Sequence, residues 1–152
     1  MSKPLNYTTI IEPEQTIAEI QRLLADFGVE AMMTEYDGRQ VSAVSFKMRL
    51  DGNIFPFRMP CNWRAVRKIF DEKGVTRGHI KHKDKDLDNQ SIRTAWRILL
   101  VWIEAQLNLV EINMVTIPQV FLPYAIMADD RTLSEHVADN PGFLLEGKPD
   151  GV

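Results

Sequence analysis

The sequence predicts an α+β fold, in which a small antiparallel meander sheet of three to four strands is packed by an N-terminal helix. Two Asp-Gly pairs, at 37–38 and 51–52, separate three segments in which apolar and polar residues alternate. Asp-Gly between such segments is the strongest short signal for a hairpin. Apolar residues at helical spacing precede these segments and recur over about 88–114, which predicts a C-terminal helical portion with one long buried helix.

A short first strand and one helix are predicted ahead of the hairpins. Residues 6–11 are rich in β-branched and aromatic side chains, which favour strands. Thr16 and Glu19 have the spacing of a capping box, in which each side chain binds a free amide at the start of a helix. We therefore predict a helix over 16–27, ended by Gly28 in the left-handed conformation.

The meander itself is predicted to consist of strands at about 29–36, 39–50 and 53–59. In the second strand, apolar residues alternate with polar or charged ones, so one face of the strand is apolar. Pro56 lacks an amide hydrogen, which predicts that the third strand lies at the edge of the sheet. The helix over 16–27 is predicted to cover the apolar face.

Two more helices are predicted after the sheet. Asn62 is placed to cap a helix over 63–73, whereas residues 75–88 show no apolar periodicity and are predicted to form a loop. The helix over about 88–114 has an apolar stripe so broad that more than one side must be buried. It is predicted to be either the central helix of the fold or part of an oligomer interface, so a homodimer is one alternative.

The last part of the chain is predicted to contain two short helical segments. One begins at Pro118 and is kinked or ended by Pro123, and the other begins at Thr132. The predicted organisation is a single domain at 1–139, sheet-rich over 1–60 and helical over 62–139, with a flexible tail at 140–152.

The composition favours a cytoplasmic protein without a membrane partner. A single cysteine, Cys61, excludes an internal disulfide, and no secretory signal opens the sequence. The most apolar stretch, at 98–103, is far shorter than the ~20 residues that a membrane-spanning helix needs.

The sequence contains no familiar catalytic or cofactor-binding motif. Phosphate-binding glycine loops and the GxSxG motif are missing, and no cysteine-enzyme signature surrounds Cys61. His79 and His82 are spaced for a metal, but nearby lysines oppose a dication and no further ligand pair completes a zinc site. We therefore predict no catalytic residues, no metal and no cofactor, and a protein that is not an enzyme.

The net charge of −3 conceals a strongly basic middle segment. Residues 58–85 contain nine Lys or Arg against three Asp or Glu, whereas residues 86–152 contain four against ten. The candidate residues for binding nucleic acid or an acidic partner, here called the basic set, are Arg58, Arg64, Arg67, Lys68, Arg77, Lys81, Lys83 and Lys85.

Three interpretations of the basic set remain open. A phosphate-binding surface would bind nucleic acid with strong salt dependence and weak specificity, because no base-reading motif accompanies the charge. An acidic protein partner is the second interpretation. The third is an ordinary solvated surface, since Asp71, Glu72, Asp84 and other carboxylates lie nearby in the sequence.

Four aromatic residues are candidate contact residues for a partner protein, because Trp and Tyr dominate binding hot spots. Burial in the core is the alternative. The second tryptophan comes six positions after the first, so their rings diverge on a helix. The four residues are Trp96, Trp102, Phe121 and Tyr124.

Several segments resemble a family of uncharacterised proteins encoded by bacteriophages, prophages and other bacterial mobile elements. These segments lie at 6–9 (NYTT), 57–60 (FRMP), 63–64 (WR), 95–98 (AWRI), 102–107 (WIEAQL) and 119–124 (QVFLPY). The resemblance covers most of the chain but not 76–86, and it implies no particular activity. It implies a bacterial host cell and favours two roles, which are handling nucleic acid and binding a host protein.

The sequence thus predicts a non-enzymatic accessory protein of a mobile element. The leading hypothesis is weakly specific nucleic-acid binding through the basic set. The alternative is an inhibitor or adaptor that binds a host or anti-phage defence protein through the acidic C-terminal portion and exposed aromatic residues.

Overall fold

The computed structural model describes residues 4–74 and 84–144, and it has the predicted α+β architecture. A three-stranded antiparallel sheet, in the order β1-β2-β3, follows an N-terminal helix and precedes a helical C-terminal portion. The strands are β1 (Val29–Asp37), β2 (Gln40–Leu50) and β3 (Asn53–Pro60), and the helices are α1 (Pro13–Asp26), α2 (Trp63–Lys73), α3 (Asp84–Glu111), α4 (Ile117–Phe121) and α5 (Leu133–Asp139).

Helix α1 begins earlier than its predicted capping box. Pro13 occupies its first turn, where the missing amide hydrogen costs no hydrogen bond and the restricted φ suits a helix. Thr16 is fully buried inside the helix, so the prediction that it caps the helix is wrong. The predicted end is confirmed, because Phe27 is the C-cap residue and Gly28 follows with a φ of +87°.

Residues 6–11 do not form the predicted strand. Their backbone carbonyls instead accept hydrogen bonds from a side chain of α3. Asn6 has a φ of +57°, which is incompatible with a strand. The side-chain amide of Gln90 on α3 donates hydrogen bonds of 2.9 Å to the carbonyls of both Tyr7 and Thr9. The segment therefore lies on α3 instead of extending the sheet.

The sheet confirms the predicted meander and has two different faces. On the inner face, Phe46 of β2 lies opposite Met32 of β1 and Phe57 of β3. On the outer face, Ser45 of β2 lies opposite Met33 and Arg58 in the same way. Because side chains alternate between faces, this register sends the apolar residues of β2 to the core.

Both prolines of β3 occupy positions at which a missing amide hydrogen costs nothing. The carbonyl of Pro56 accepts a 2.9 Å hydrogen bond from the amide of Ile126, so its backbone points away from β2. The amide of Cys61 donates a hydrogen bond to the carbonyl of Ser42 on β2. Because backbone groups of successive residues in a strand point in opposite directions, the backbone of Pro60 points away from β2 as well. β3 is therefore an edge strand of the sheet, as Pro56 predicted.

Helix α2 has its predicted bounds, whereas α3 begins earlier than predicted. Asn62 precedes α2 without a side-chain capping bond, and Gly74 ends the helix with a φ of +58°. Of the loop predicted at 75–88, residues 75–83 lie outside the described residues. Residues 84–88 belong to α3, so the loop prediction is wrong for them. Three aspartates in this stretch favour a helix start through the helix dipole.

The main core lies between the inner face of the sheet, α1, α3 and α4. Apolar periodicity predicted it, because α1 and α3 turn one row of residues each toward the sheet. Its largest fully buried side chains are Trp96, Phe46, Phe57, Phe121, Ile20, Leu24, Met59, Ile103 and Leu107.

The two short C-terminal helices begin with capping boxes. Thr116 and Thr132 each accept a hydrogen bond from the third residue of the helix that follows, whose side chain bonds back. Helix α4 begins at Ile117, and Pro123 lies in the 3-10 turn that ends it. Most of the tail predicted at 140–152 lies outside the described residues.

Candidate functional site

Arg58, the first member of the basic set, is bound on the outer face of the sheet by two acidic residues. Its Nε donates to Glu35 Oε2 at 2.9 Å, and its Nη1 and Nη2 donate to the backbone O and Oδ1 of Asp130 at 2.8 and 3.0 Å. Ser45 Oγ donates to the same oxygen of Glu35 at 2.6 Å. The Arg58 side chain is only 18% exposed, so its own chain occupies this cation.

This network changes the acidity of both partners. Burial alone would raise the pKa of Glu35, but the hydrogen bonds from Ser45 and Arg58, with the charge of Arg58, hold the pKa below its ordinary value. Hydrogen bonding to Glu35 raises the pKa of Arg58. Glu35 is therefore a weaker base than an ordinary glutamate, because its Oε2 already accepts hydrogen bonds from Ser45 and Arg58.

The cations of α2 also have acidic neighbours. Arg67 donates from Nε to Asp71 Oδ1 at 3.2 Å and from Nη1 to Asp88 Oδ1 at 2.6 Å, and its side chain is 18% exposed. Arg64 is 69% exposed, and its Nη2 lies 3.7 Å from Asp37 Oδ2. The arginines of α2 thus form ion pairs with β1, α2 itself and α3.

The described members of the basic set do not form one free cationic surface. Lys68 and Lys85 are exposed, on α2 and α3, whereas Arg58 lies on β3. Arg77, Lys81 and Lys83 lie outside the described residues, so nucleic-acid binding stays a prediction. The sequence analysis missed Glu35 and Asp130 because they are 23 and 72 residues from Arg58 along the chain.

The four aromatic candidates separate into core and surface residues. Trp96 and Phe121 are fully buried, which removes both from the set of contact residues because a partner cannot reach them in the folded chain. Trp102 and Tyr124 are half-buried, and their ring centroids are 5.8 Å apart in an edge-to-face pair. Trp102 also contacts Phe121 at 5.9 Å, which connects the surface pair to the core.

Helix α3 carries apolar residues on the side opposite the core as well. Trp96, Leu100, Ile103 and Leu107 face the sheet. At 3.6 residues per turn, a second apolar row projects from the other side of the helix. We call this row the α3 outer face, and its members are Ile98, Val101, Ala105 and Leu109 of α3 and Ile112 directly after its last residue.

Much of the α3 outer face is accessible. Val101 is 40% exposed and Ile112 is 65% exposed, Ala105 is exposed, and Ile98 and Leu109 are half-buried. Nearer the start of α3, the same side of the helix carries Gln90 and Thr94, which bind residues 6–9. Among the described residues, the N-terminal segment thus covers the first half of this side and leaves the second half open.

The α3 outer face has an acidic border and an apolar border. On one side, a cleft of about 480 Å³ is lined by Asp26, Glu104 and Glu111, which form no ion pair within the described residues. On the other side, an apolar groove of about 270 Å³ is lined by Trp102 and other residues of α3, by Tyr124, by Val66 of α2 and by residues 60–62. The sequence analysis did not predict these two borders, because it treated the apolar residues of α3 as one broad stripe and did not assign them to two sides of the helix.

Cys61 is not placed for nucleophilic chemistry. Its side chain is 8% exposed, and burial raises the pKa of the thiol to about 12. Within 4–74 and 84–144, no group of three or more metal-ligating side chains comes together. His79 and His82 lie outside these ranges.

Comparison with known proteins gives no relative from which to take a function. No helix in the described part of the chain is both long enough and apolar enough to cross a membrane. No protein-family model matches the sequence, and neither the curated proteins nor the solved structures contain a significant match.

Proposed function

We propose that this chain is a non-enzymatic binding protein whose partner is another protein, bound by the α3 outer face. The single observation that carries the proposal is that an apolar row lies opposite the core, with exposed Val101 and Ala105 on the longest helix and exposed Ile112 directly after its end. Exposed apolar rows bordered by polar residues are typical of protein-binding sites. Trp102 and Tyr124 supply aromatic contact area at the edge of the row.

The partner surface that fits this face is an amphipathic helix with basic flanks. Its apolar residues would pack on the row around Ala105, whose small side chain allows close approach of a second helix. Its Lys or Arg residues would lie beside the carboxylates of Asp26, Glu104 and Glu111 in the adjacent cleft. The covering of the same side of α3 by residues 6–9 supports this mode, because the helix already binds one segment there.

An inhibitor or adaptor acting on a host or defence protein is the biological form of this proposal. The resemblance to proteins of bacterial mobile elements supports that form. Weakly specific nucleic-acid binding has less support, because carboxylates occupy Arg58 and Arg67.

A photo-reactive amino acid in place of Val101 tests the proposal in bacterial cells. Any protein cross-linked there is purified, and its affinity for the unmodified chain is measured by calorimetry. We expect Ala105→Arg to weaken this affinity at least about tenfold, which is about 1.4 kcal/mol, because a cation replaces the smallest residue at the centre of the row.

Ala138→Arg is the matched control, since Ala138 is also an exposed helical alanine but lies on α5. We expect it to bind with the affinity of the wild type. Equal affinity of the Ala105→Arg variant and the wild type would contradict the proposal, as would the absence of any cross-link at position 101.

A further inference from the structure

One edge of strand β1 has no partner strand in the part of the chain that the structure describes, and the direction of its backbone hydrogen-bonding groups follows from the rest of the sheet. The backbone of Pro56 points away from β2, so its partner Lys47 directs its own backbone groups toward β1. Lys47 lies opposite Ala31, and the direction alternates from residue to residue. The backbone amides and carbonyls of Met32 and Thr34 therefore point outward from the sheet.

Within the described residues, β1 has no strand partner other than β2. Irregularities in its pairing with β2 occur at Val29/Ala31 and at Glu35/Tyr36, which leaves a regular stretch from Ala31 to Glu35 between them. Three apolar side chains near this edge are exposed: Met32 by 37%, Met33 by 57% and Tyr36 by 61%. An uncovered edge of this kind is a template for another strand.

We propose that β1 pairs antiparallel with β1 of a second copy of this chain, so that two sheets join into one of six strands. A twofold axis through Met33 places each Met32 opposite the second copy's Thr34. The outward backbone groups of both residues are then satisfied, with four hydrogen bonds across the axis. An alternative register has its twofold axis at Met32. It would pair Met32 with Met32 of the second copy, and Thr34 with the second copy's Glu30.

Side chains on the outer face fit the same register. Met33 lies against Met33 of the second copy, and small Ala31 lies opposite the second copy's Glu35. Lys47 is next to Ala31 in the sheet and has no ion pair within the described residues. Neighbouring strands are about 4.8 Å apart, so its ammonium can reach across Ala31 to the second copy's Glu35. Oε2 of Glu35 binds Arg58 and Ser45, and Oε1 remains for this contact.

Light scattering on the full chain and on variants tests the dimer. At about 100 μM protein, we expect the mass to be twice the 17.5 kDa of one chain. Thr34→Pro removes an outward amide and leaves the hydrogen bonds to β2 intact. We therefore expect this variant to be a monomer with the circular dichroism spectrum of the wild type. If Thr34→Pro does not fold, Met33→Lys replaces it, because two ammonium groups would then meet at the axis.

Disulfide cross-linking tests the register. Cα atoms of directly opposed residues without hydrogen bonds are about 4.5 Å apart, which permits a disulfide between two Met33→Cys chains. We expect this variant to form a covalent dimer under mild oxidation. Met127→Cys is the matched control, since Met127 is 43% exposed but lies outside the strands, next to Ile126, whose amide bonds to β3. Buried Cys61 does not compete.

Three results would overturn the proposal: a monomeric wild type at this concentration, a Thr34→Pro or Met33→Lys variant that dimerises like the wild type, or equal cross-linking of the two cysteine variants. Ala105→Arg separates this dimer from the α3 outer face. We expect that variant to remain dimeric, and its conversion to a monomer would assign the contact to α3 instead.

Discussion

At the scale of single residues, the guanidinium of Arg58 joins three parts of the molecule. It belongs to β3, it binds Glu35 of β1 across the outer face of the sheet, and it binds Asp130 in the turn before α5. Asp130 has a φ of +67°, a conformation that costs energy for a residue other than glycine. The two bonds from Arg58 hold that turn beside the sheet.

The Glu35 carboxylate should make stability depend on pH in the acid range. Its pKa in the folded chain lies below the ordinary value of 4.5, so the folded state binds this proton less readily than the unfolded state. The stabilisation is therefore complete above about pH 5 and is lost as pH falls through the folded pKa. We expect Glu35→Gln to cost about 1–2 kcal/mol at pH 7, and this cost to shrink below about pH 4.5.

Urea unfolding between about pH 3 and 7 measures this difference. Glu30→Gln is the control, since Glu30 forms a more exposed pair with Arg49, and its cost at pH 7 should be below about 1 kcal/mol. A Glu35→Gln cost that stays constant down to pH 3 would show that the carboxylate charge does not contribute.

At the scale of elements, α3 organises the chain because three of its sides pack on different parts of the molecule. The core side packs on the sheet, and α1 and α2 lie along its flanks. Arg97 forms an ion pair with Glu19 of α1, and Arg67 of α2 binds Asp88. The remaining side carries residues 6–9 first and the α3 outer face after them.

Gln90 should be the main residue that holds the N-terminal segment on α3. Its side chain is 3% exposed and donates both amide hydrogens to the segment. We expect Gln90→Leu to lower the free energy of unfolding by about 2 kcal/mol, because two hydrogen bonds to the segment and one from Arg93 are lost. Tryptophan fluorescence during urea unfolding measures the change.

Gln106→Leu is the control on the same helix, since Gln106 is only half-buried. Its effect should be within about 0.5 kcal/mol. Equal losses in the two variants would mean that residues 6–9 do not depend on Gln90.

At the scale of the whole molecule, one core connects the sheet with the helices. A reagent that reaches a residue in this core therefore reports unfolding of the whole chain. Cys61 lies in this core and its thiol has a pKa of about 12. We expect a thiol reagent at pH 8 to label Cys61 at least about a hundredfold more slowly than an exposed cysteine, because the thiol must first be uncovered. The rate should rise with urea in parallel with the unfolded fraction.

Met127→Cys supplies the exposed thiol for comparison, because Met127 is 43% exposed and lies outside the proposed dimer contact. Labelling of Cys61 in native protein at the rate of that cysteine would show that the region around it opens without global unfolding.

The secondary structure was largely predictable because its signals are local. Asp37-Gly38 and Asp51-Gly52 lie at the two turns of the meander, and Gly28 and Gly74 follow α1 and α2, as their positions in the pattern predicted. The strand at 6–11 was wrongly predicted because its hydrogen-bond partner, Gln90, is more than 80 residues away. Local propensity cannot account for a bond made by a distant side chain.

Local sequence patterns were sufficient to predict the α+β class, the order of the elements and the apolar faces of α1, β2 and α3, because periodicity and turn chemistry act between neighbours in the chain. Which charges and apolar rows remain available depends instead on how the elements pack together. Arg58 is neutralised by residues from two distant segments, and one side of α3 stays open where residues 6–9 end. These outcomes depend on contacts between remote parts of the chain, and no local pattern encodes such contacts.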